Sequence, residues 1–140
     1  MTEAVLDASV VLKWFRQGGE ERTDQARALR THFEAGELAV FAPPLLFLEI
    51  IHVAARRWRW SDDALTELAA QLEQTAFELQ EPDLPALARW VGRGLTAYDA
   101  AYVALAEALG IPLVTDDDLI VDIARRIAVP LGQVGESPKE

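Results

Sequence analysis

The chain of 140 residues contains no cysteine. Without thiols it has neither a disulfide framework nor a thiolate metal site, so zinc fingers and cysteine nucleophiles are excluded. Nothing in the composition requires an oxidising compartment. Lysine is also scarce, because Lys13 and Lys139 are the only two.

Basic side chains are few compared with acidic ones. Thirteen Lys and Arg face 23 Asp and Glu, giving a net charge of −10. A general duplex-coating protein is therefore disfavoured, because such proteins neutralise many phosphates with Lys and Arg. An acidic protein can still act on nucleic acid when divalent cations bridge its carboxylates to phosphate oxygens.

Long uninterrupted apolar segments are absent as well. The N-terminus carries Glu3 and Asp7 in place of a basic stretch and an apolar core, and Pro43 and Pro44 interrupt the apolar run from Ala39 to Leu48. We therefore predict no signal peptide and no membrane span. With 51% hydrophobic residues, we expect a globular, cytoplasmic protein of one domain.

Short apolar strands alternate with helical patterns along the chain. Strands are predicted at Ala4–Leu6, Leu38–Phe41, Phe77–Leu79, Pro112–Thr115 and Val129–Leu131, and helices from a Ser9 cap to Phe15, over Glu20–Ala35, from Leu45 to about Trp60, from a Ser61 cap to Ala76, over Leu84–Val91, over Ala100–Ala106 up to Gly110, and over Asp116–Ile127. This alternation predicts a three-layer α/β/α domain with a central, mainly parallel sheet of four to five short strands. We expect residues 1–131 to form the domain and residues 132–140 a mobile tail.

Several acidic residues follow predicted strands or begin helices. Asp7 ends the first strand, the run Asp116–Asp118 follows the fourth, and Asp99 stands three residues after Thr96. In parallel α/β sheets the ligand site lies beyond the carboxyl ends of the strands. Each of these acids, taken alone, also fits a helix cap or the positive end of a helix dipole.

Glu49 is anomalous in a different way, because it is the only charged residue between Ala39 and Ile51. Burying an unpaired carboxylate costs several kcal/mol. One alternative is an exposed position on the outer face of its helix. The apolar residues that surround it on the helical projection favour a paired or metal-bound side chain instead.

In this layout Asp7, Asp99 and one acid of Asp116–Asp118 meet at one sheet edge, with Glu49 reaching in from its helix. Gathered carboxylates repel one another unless a hard cation lies among them, and Mg²⁺ or Mn²⁺ prefers such oxygen ligands. The arrangement suits phosphodiester cleavage. The sequence contains no Walker loop, GxSxG motif or Ser/His/Asp pattern.

Four segments together resemble PIN-domain ribonucleases, most closely the VapC-type toxins of toxin–antitoxin pairs. The segments are Val5–Ser9, Glu49 within its apolar helix, Leu95–Ala100 and Leu113–Asp117. They occur in the family's order and span essentially the whole chain.

The resemblance implies an endoribonuclease that requires Mg²⁺ or Mn²⁺, with RNA as substrate and an antitoxin as partner. It implies that the catalytic and metal-binding acids are Asp7, Glu49, Asp99 and Asp117. It further implies that Ser9 and Thr115 orient the site, and that Asp116 can assist or replace Asp117. His52 occupies a position where the family commonly has asparagine.

Three questions stay open at this stage. A catalytically silent PIN-like module for dimerisation or partner binding is one alternative, and a phospho-accepting receiver domain is another, although the Thr and Lys that a receiver needs are not evident. The segment Arg56–Trp60 fits either base stacking on RNA or packing in the core or at an interface. Because four tryptophans exceed what one small core needs, we also expect a homodimer.

Overall fold

The computed structural model describes residues 1–16 and 21–135. Over these residues the strands are β1 (Glu3–Leu6), β2 (Ala39–Ala42), β3 (Glu78–Leu79), β4 (Leu113–Thr115) and β5 (Ala128–Pro130). The helices are α1 (Ala8–Phe15), α2 (Thr23–Glu34), α3 (Leu45–Arg56), α4 (Asp62–Gln74), α5 (Leu84–Gly92), α6 (Ala97–Leu109) and α7 (Asp118–Ile123). The 3₁₀-helix Leu131–Gln133 follows β5.

The five strands form one sheet in the order β3-β2-β1-β4-β5, and every pairing is parallel. The predicted fold is therefore confirmed. Val5 of the central strand lies beside Phe41 of β2 and Leu113 of β4. The chain leaves β1 in one direction and later returns on its other side, so the carboxyl ends of β1 and β4 are neighbours at the switch point of the sheet.

The core is covered on both faces of the sheet. Every residue of β4 is buried, and so is every residue of β1 after Glu3, as is typical of parallel strands packed between helices. Helix α6 contacts β1, β4 and α5, and its residues Ala100 to Ala106 are all buried. Their many alanines allow this helix to approach the sheet closely.

Two predicted helix ends near the acids are wrong. Helix α1 begins at Ala8 with Asp7 at its N-cap position, and Ser9 lies inside the first turn because its hydroxyl bonds other groups. Helix α7 is shorter than the predicted Asp116–Ile127. It ends at Ile123 because residues 124–127 turn the chain into β5, and the Ile127 carbonyl accepts a hydrogen bond from the Leu113 amide of β4 at 3.0 Å.

Helix α3 also ends earlier than predicted, at Arg56 rather than near Trp60. Arg59 adopts a left-handed conformation with φ of 58°, and the Trp60 amide bonds the Ala54 carbonyl at 3.0 Å. This reversal packs the rings of Trp58 and Trp60 5.4 Å apart and against the core. The structure therefore supports core packing for these two aromatic rings.

Two predicted segments extend into residues that the structure does not describe: the second helix at its start and the tail. Helix α2 begins at Thr23, and residue 20, where its start was predicted, lies outside the described residues. In the predicted tail, residues 132 and 133 belong to the 3₁₀-helix, and residues 136–140 lie outside the described residues. No helix within the described part of the chain has the length and apolar character needed to cross a membrane.

Candidate active site

Asp7 is the buried centre of the candidate site. It directly follows β1, and its carbonyl accepts hydrogen bonds from the amides of Val10 and Val11, both at 3.2 Å. Its carboxylate does not cap α1 and is only 4% exposed. The Asp7 carboxylate is therefore available for contacts other than a helix cap.

Two hydroxyl groups hold the Asp7 carboxylate. Ser9 donates to Oδ1 at 2.6 Å and Thr115 donates to Oδ2 at 2.5 Å. Each hydroxyl in turn accepts a backbone amide from the segment after β4: Ser9 Oγ from Asp116 at 2.9 Å, and Thr115 Oγ1 from Asp117 at 3.1 Å. Because each hydroxyl both donates to Asp7 and accepts from a backbone amide, the network fixes the β4–α7 segment relative to Asp7.

Burial raises the pKa of Asp7 to about 7, against the opposing hydrogen bonds from Ser9 and Thr115, and the negative charge of Asp99 raises it further. A buried carboxylate in this state gains from an added positive charge.

Glu49 lies half-buried on α3 and has a defined partner. The phenol of Tyr102, one turn after Asp99 on α6, donates to Glu49 Oε1 at 2.6 Å. Burial raises the pKa of Glu49, the Tyr102 hydrogen bond lowers it, and the charge of Asp99 raises it. Glu49 is therefore not the fully exposed outer-face residue of the alternative interpretation.

Asp99 connects the other acids electrostatically. It lies in the first turn of α6, where the Thr96 hydroxyl caps the helix by accepting the Asp99 amide at 3.0 Å. Burial raises the pKa of Asp99, and the charge of Asp117 raises it further. Since Asp99 also raises the pKa of Asp7 and of Glu49, Asp99 lies close enough to the other three acids predicted from the sequence for electrostatic repulsion. We call Asp7, Glu49, Asp99 and Asp117 the acid cluster.

The two candidates for the fourth acid have different surroundings. Asp117 Oδ1 caps α7 by accepting the amides of Leu119 and Ile120 at 2.9 and 3.2 Å, which leaves Oδ2 available. Asp116 is instead paired with cations: Arg22 Nε contacts Oδ1 at 2.5 Å, and Lys13 Nζ contacts Oδ2 at 3.3 Å. We call Lys13, Arg22 and Asp116 the ion-pair cluster.

The acid cluster fits a hydrated divalent cation. Over residues 1–16 and 21–135 no three Asp, Glu or His side chains are arranged to ligate one metal ion by themselves. Mg²⁺ usually keeps several waters and takes only one or two protein carboxylates. Among the residues that the structure describes, the acid cluster has no cationic partner like the Lys13 and Arg22 that pair with Asp116. Carboxylate oxygens such as these are the ligands that Mg²⁺ and Mn²⁺ prefer.

Sequence reasoning missed three residues of this region. Tyr102 was counted among the apolar residues of α6, although its hydroxyl needs a partner when buried. Lys13 is 8% exposed on α1, and the reasoning that singled out Glu49 applies equally to a lysine among apolar residues. Arg22 has no local sequence signal, since its contact with Asp116 spans 94 positions. His52, where the family commonly has asparagine, is exposed.

The fold and the acid cluster define a class of protein. A model of the PIN domain family matches residues 4–126, and the chain belongs to this family. PIN domains are typically nucleases, and these nucleases generally use divalent metal ions. No curated protein matches the sequence significantly.

Solved structures share the fold over nearly the whole chain. PAE2754 from Pyrobaculum aerophilum is 27% identical with a TM-score of 0.65, and the match covers 94% of this chain and 92% of that chain. FitAcB from Neisseria gonorrhoeae is 17% identical with a TM-score of 0.66, covering 92% and 98%. VapC20 from Mycobacterium tuberculosis, a sarcin-ricin loop cleaving toxin, is 18% identical with a TM-score of 0.59, covering 81% and 87%.

Proposed function

We propose that this chain is a metal-dependent endoribonuclease in which Asp7, Glu49, Asp99 and Asp117 are the catalytic and metal-binding acids. The observation that carries the proposal is the coupling of these acids around Asp99 at the carboxyl ends of β1 and β4. Asp99 repels the carboxylates of the other three acids there, and a hard cation compensates such repulsion.

The chain's own residues have distinct tasks in this proposal. Ser9 and Thr115 hold both oxygens of Asp7 and so fix its direction. Tyr102 holds Glu49 Oε1, which leaves Oε2 for a cation or one of its waters. A bound Mg²⁺ or Mn²⁺ would supply a water of lowered pKa and neutralise charge on the scissile phosphate.

Asp116 supports the site without joining it. Its side chain is occupied by Lys13 and Arg22, while its amide bonds Ser9. Asp117 rather than Asp116 is therefore our fourth acid.

We further propose that the biological role is that of a VapC-type toxin with an antitoxin partner. The support is the PIN family match together with the shared fold of VapC20, which is described as a sarcin-ricin loop cleaving toxin. The cysteine-free composition suits the cytoplasm.

For assembly we propose a homodimer, and light scattering that reports only monomer at micromolar concentration would refute that part.

The deciding experiment incubates the purified chain with a panel of structured RNAs and matched DNAs, in Mg²⁺, in Mn²⁺ and in chelator. We expect RNA cleavage with either ion and none in chelator. Glu49→Gln should lower cleavage more than about 100-fold, since it removes a charge that the cation needs. Asp118→Asn is the matched control, because Asp118 is an exposed acid beside Asp117, and its cleavage should match the parent's.

Cleavage that survives chelator, or that Glu49→Gln leaves unchanged, would contradict the proposal. A chain that cleaves no RNA yet binds a partner protein would favour the silent module.

A further inference from the structure

A groove lies beside the acid cluster, between α3 and the start of α6. It has a volume of about 450 Å³ and is lined by Leu45, Leu48, Glu49, His52, Val53 and Tyr98. We call it the Leu48 groove. The five residues from α3 are spaced i, i+3, i+4, i+7 and i+8, so they form one continuous face of the helix.

This face is unusually apolar for an exposed surface. Leu48 is 71% exposed and Tyr98 is 64% exposed, which places them among the most exposed large apolar side chains of the described chain. Exposed apolar surface that is continuous with a polar site marks a place where a ligand or partner binds.

The groove and the acid cluster share a wall. Glu49 lines the groove and belongs to the cluster, and Tyr98 directly precedes Asp99 on α6. A phosphodiester held at the acid cluster would therefore lie next to this groove. A ligand that combines a charged backbone with flat apolar side groups matches both surfaces together.

The chemistry of the lining selects the base rather than the phosphate. None of the six lining residues is Lys or Arg, so the groove offers no cation for a phosphate. It offers aliphatic side chains together with the ring of Tyr98 and the imidazole of His52. Aromatic rings on such surfaces stack unpaired bases of single-stranded RNA.

We propose that the Leu48 groove binds one nucleobase next to the scissile phosphate, with the Tyr98 ring as its stacking surface. This inference rests on the proposed nuclease function. It makes Tyr98 a substrate-binding residue that holds the nucleotide next to the scissile phosphate.

The test combines protein variants with substrates that lack one base. Short single-stranded RNAs carry a single abasic nucleotide at successive positions around the cleavage site, and kcat/KM is measured in Mn²⁺ for the parent, Tyr98→Ala and Tyr98→Phe. For the parent, one abasic position should lower kcat/KM about tenfold. Tyr98→Ala should show a similar loss on the intact RNA, mainly through KM, and no added loss at that abasic position.

Two controls separate stacking from general damage. Tyr98→Phe keeps the ring and should retain the parent's discrimination. Leu84→Ala removes an equally exposed apolar side chain outside the groove and should behave like the parent. Thermal melts of all variants check that the fold is intact.

If Tyr98→Ala lowered kcat/KM by the same factor on every abasic substrate as on the intact RNA, the inference would be overturned. The nuclease function would still stand. Unchanged cleavage by Tyr98→Ala would also overturn the inference and would assign the groove to a protein partner. Failure of the parent to cleave any RNA would remove the proposed function, and this inference with it.

Discussion

Asp116 and Asp117 are consecutive in the chain, yet they lie in regions of opposite electrostatic character. Asp116 belongs to the ion-pair cluster, where Lys13 and Arg22 match its charge. Asp117 belongs to the acid cluster, where it raises the pKa of Asp99. Both regions attach to the same hydroxyl network around Asp7.

The difference shows that two neighbouring acids can have different roles, one in stabilising the fold and the other in providing a negative charge to the site. A matched acid contributes to stability, because removing either partner leaves a largely buried charge unpaired. An unmatched acid among other acids costs stability and is retained for a ligand that compensates it. We therefore propose that Asp116 stabilises the site and that Asp117 acts in it.

The largest effect expected from this comparison is on RNA cleavage. Asp117→Asn should lower the rate more than about 100-fold, because it removes a charge from the proposed metal-binding acids. Asp116→Asn should change the rate per folded molecule by less than about fivefold, since Asp116 is paired with cations. Parallel cleavage assays, normalised for the folded fraction, make the comparison. Equal losses in the two variants would remove the distinction between the clusters.

The next effect is on stability. Lys13→Met should lower the free energy of unfolding by about 3 kcal/mol, because Asp116 loses the more buried of its two cationic partners. The double variant with Asp116→Asn should recover part of this loss, since the Asp116 carboxylate that lost its lysine partner is then absent. Urea unfolding measures both. A double variant that is less stable than Lys13→Met alone would contradict the pairing.

A smaller effect is expected at Tyr102. Tyr102→Phe keeps the ring but removes the hydroxyl that holds Glu49, so we expect Mn²⁺ affinity to fall about tenfold. Titration calorimetry gives this affinity without any RNA. Tyr98→Phe is the matched control, because it removes a phenol hydroxyl from an exposed tyrosine on the same helix. Equal Mn²⁺ affinity of Tyr102→Phe and the parent would show that the hydrogen bond does not orient Glu49.

The smallest effect is a pH dependence in chelator. Asp7 has a pKa of about 7 in the folded protein, against about 3.9 when unfolded. Between these values the folded state binds more protons than the unfolded state, so stability falls as pH rises. From about pH 6 to about pH 8 the expected loss is about 1 kcal/mol.

The raised pKa values of Glu49 and Asp99 act in the same direction. Urea unfolding at each pH, with and without saturating Mn²⁺, tests this, because the cation should remove the loss. Stability in chelator that rises over this range would contradict the crowding of the acids.

Local sequence patterns predicted the sheet and the placement of the acid cluster. Apolar strands followed by acids defined the edge where Asp7 and Asp117 lie, and Glu49 stood out because a carboxylate in an apolar helix needs compensation. These inferences depend only on residues that are close together in the sequence. The same logic, applied to Lys13, would have identified one of the two cations of the ion-pair cluster.

Features decided by distant contacts could not be predicted this way. The residues beside Ser9 are typical of a helix cap. Its hydroxyl instead accepts a hydrogen bond from the Asp116 amide, 107 positions away, which no local pattern shows. Helix α7 stops at Ile123 because pairing of β5 with β4 overrides the helical preference of the following residues. Likewise, the packing of Trp58 and Trp60 ends α3 before its apolar pattern does.

The central claim is that repulsion among unmatched carboxylates at Asp99 is relieved by a divalent cation. Thermal melting of the parent and of Asp99→Asn, each in chelator and in Mn²⁺, tests it most directly. Repulsion between close carboxylates at an effective dielectric constant of about 20 is about 3 kcal/mol, whereas an acid in the first turn of a helix contributes only about 0.3–1 kcal/mol. Asp99→Asn should therefore melt higher than the parent in chelator and gain little from Mn²⁺, while the parent gains stability from the ion. A variant that melts lower than the parent in chelator and is still stabilised by Mn²⁺ would contradict the account.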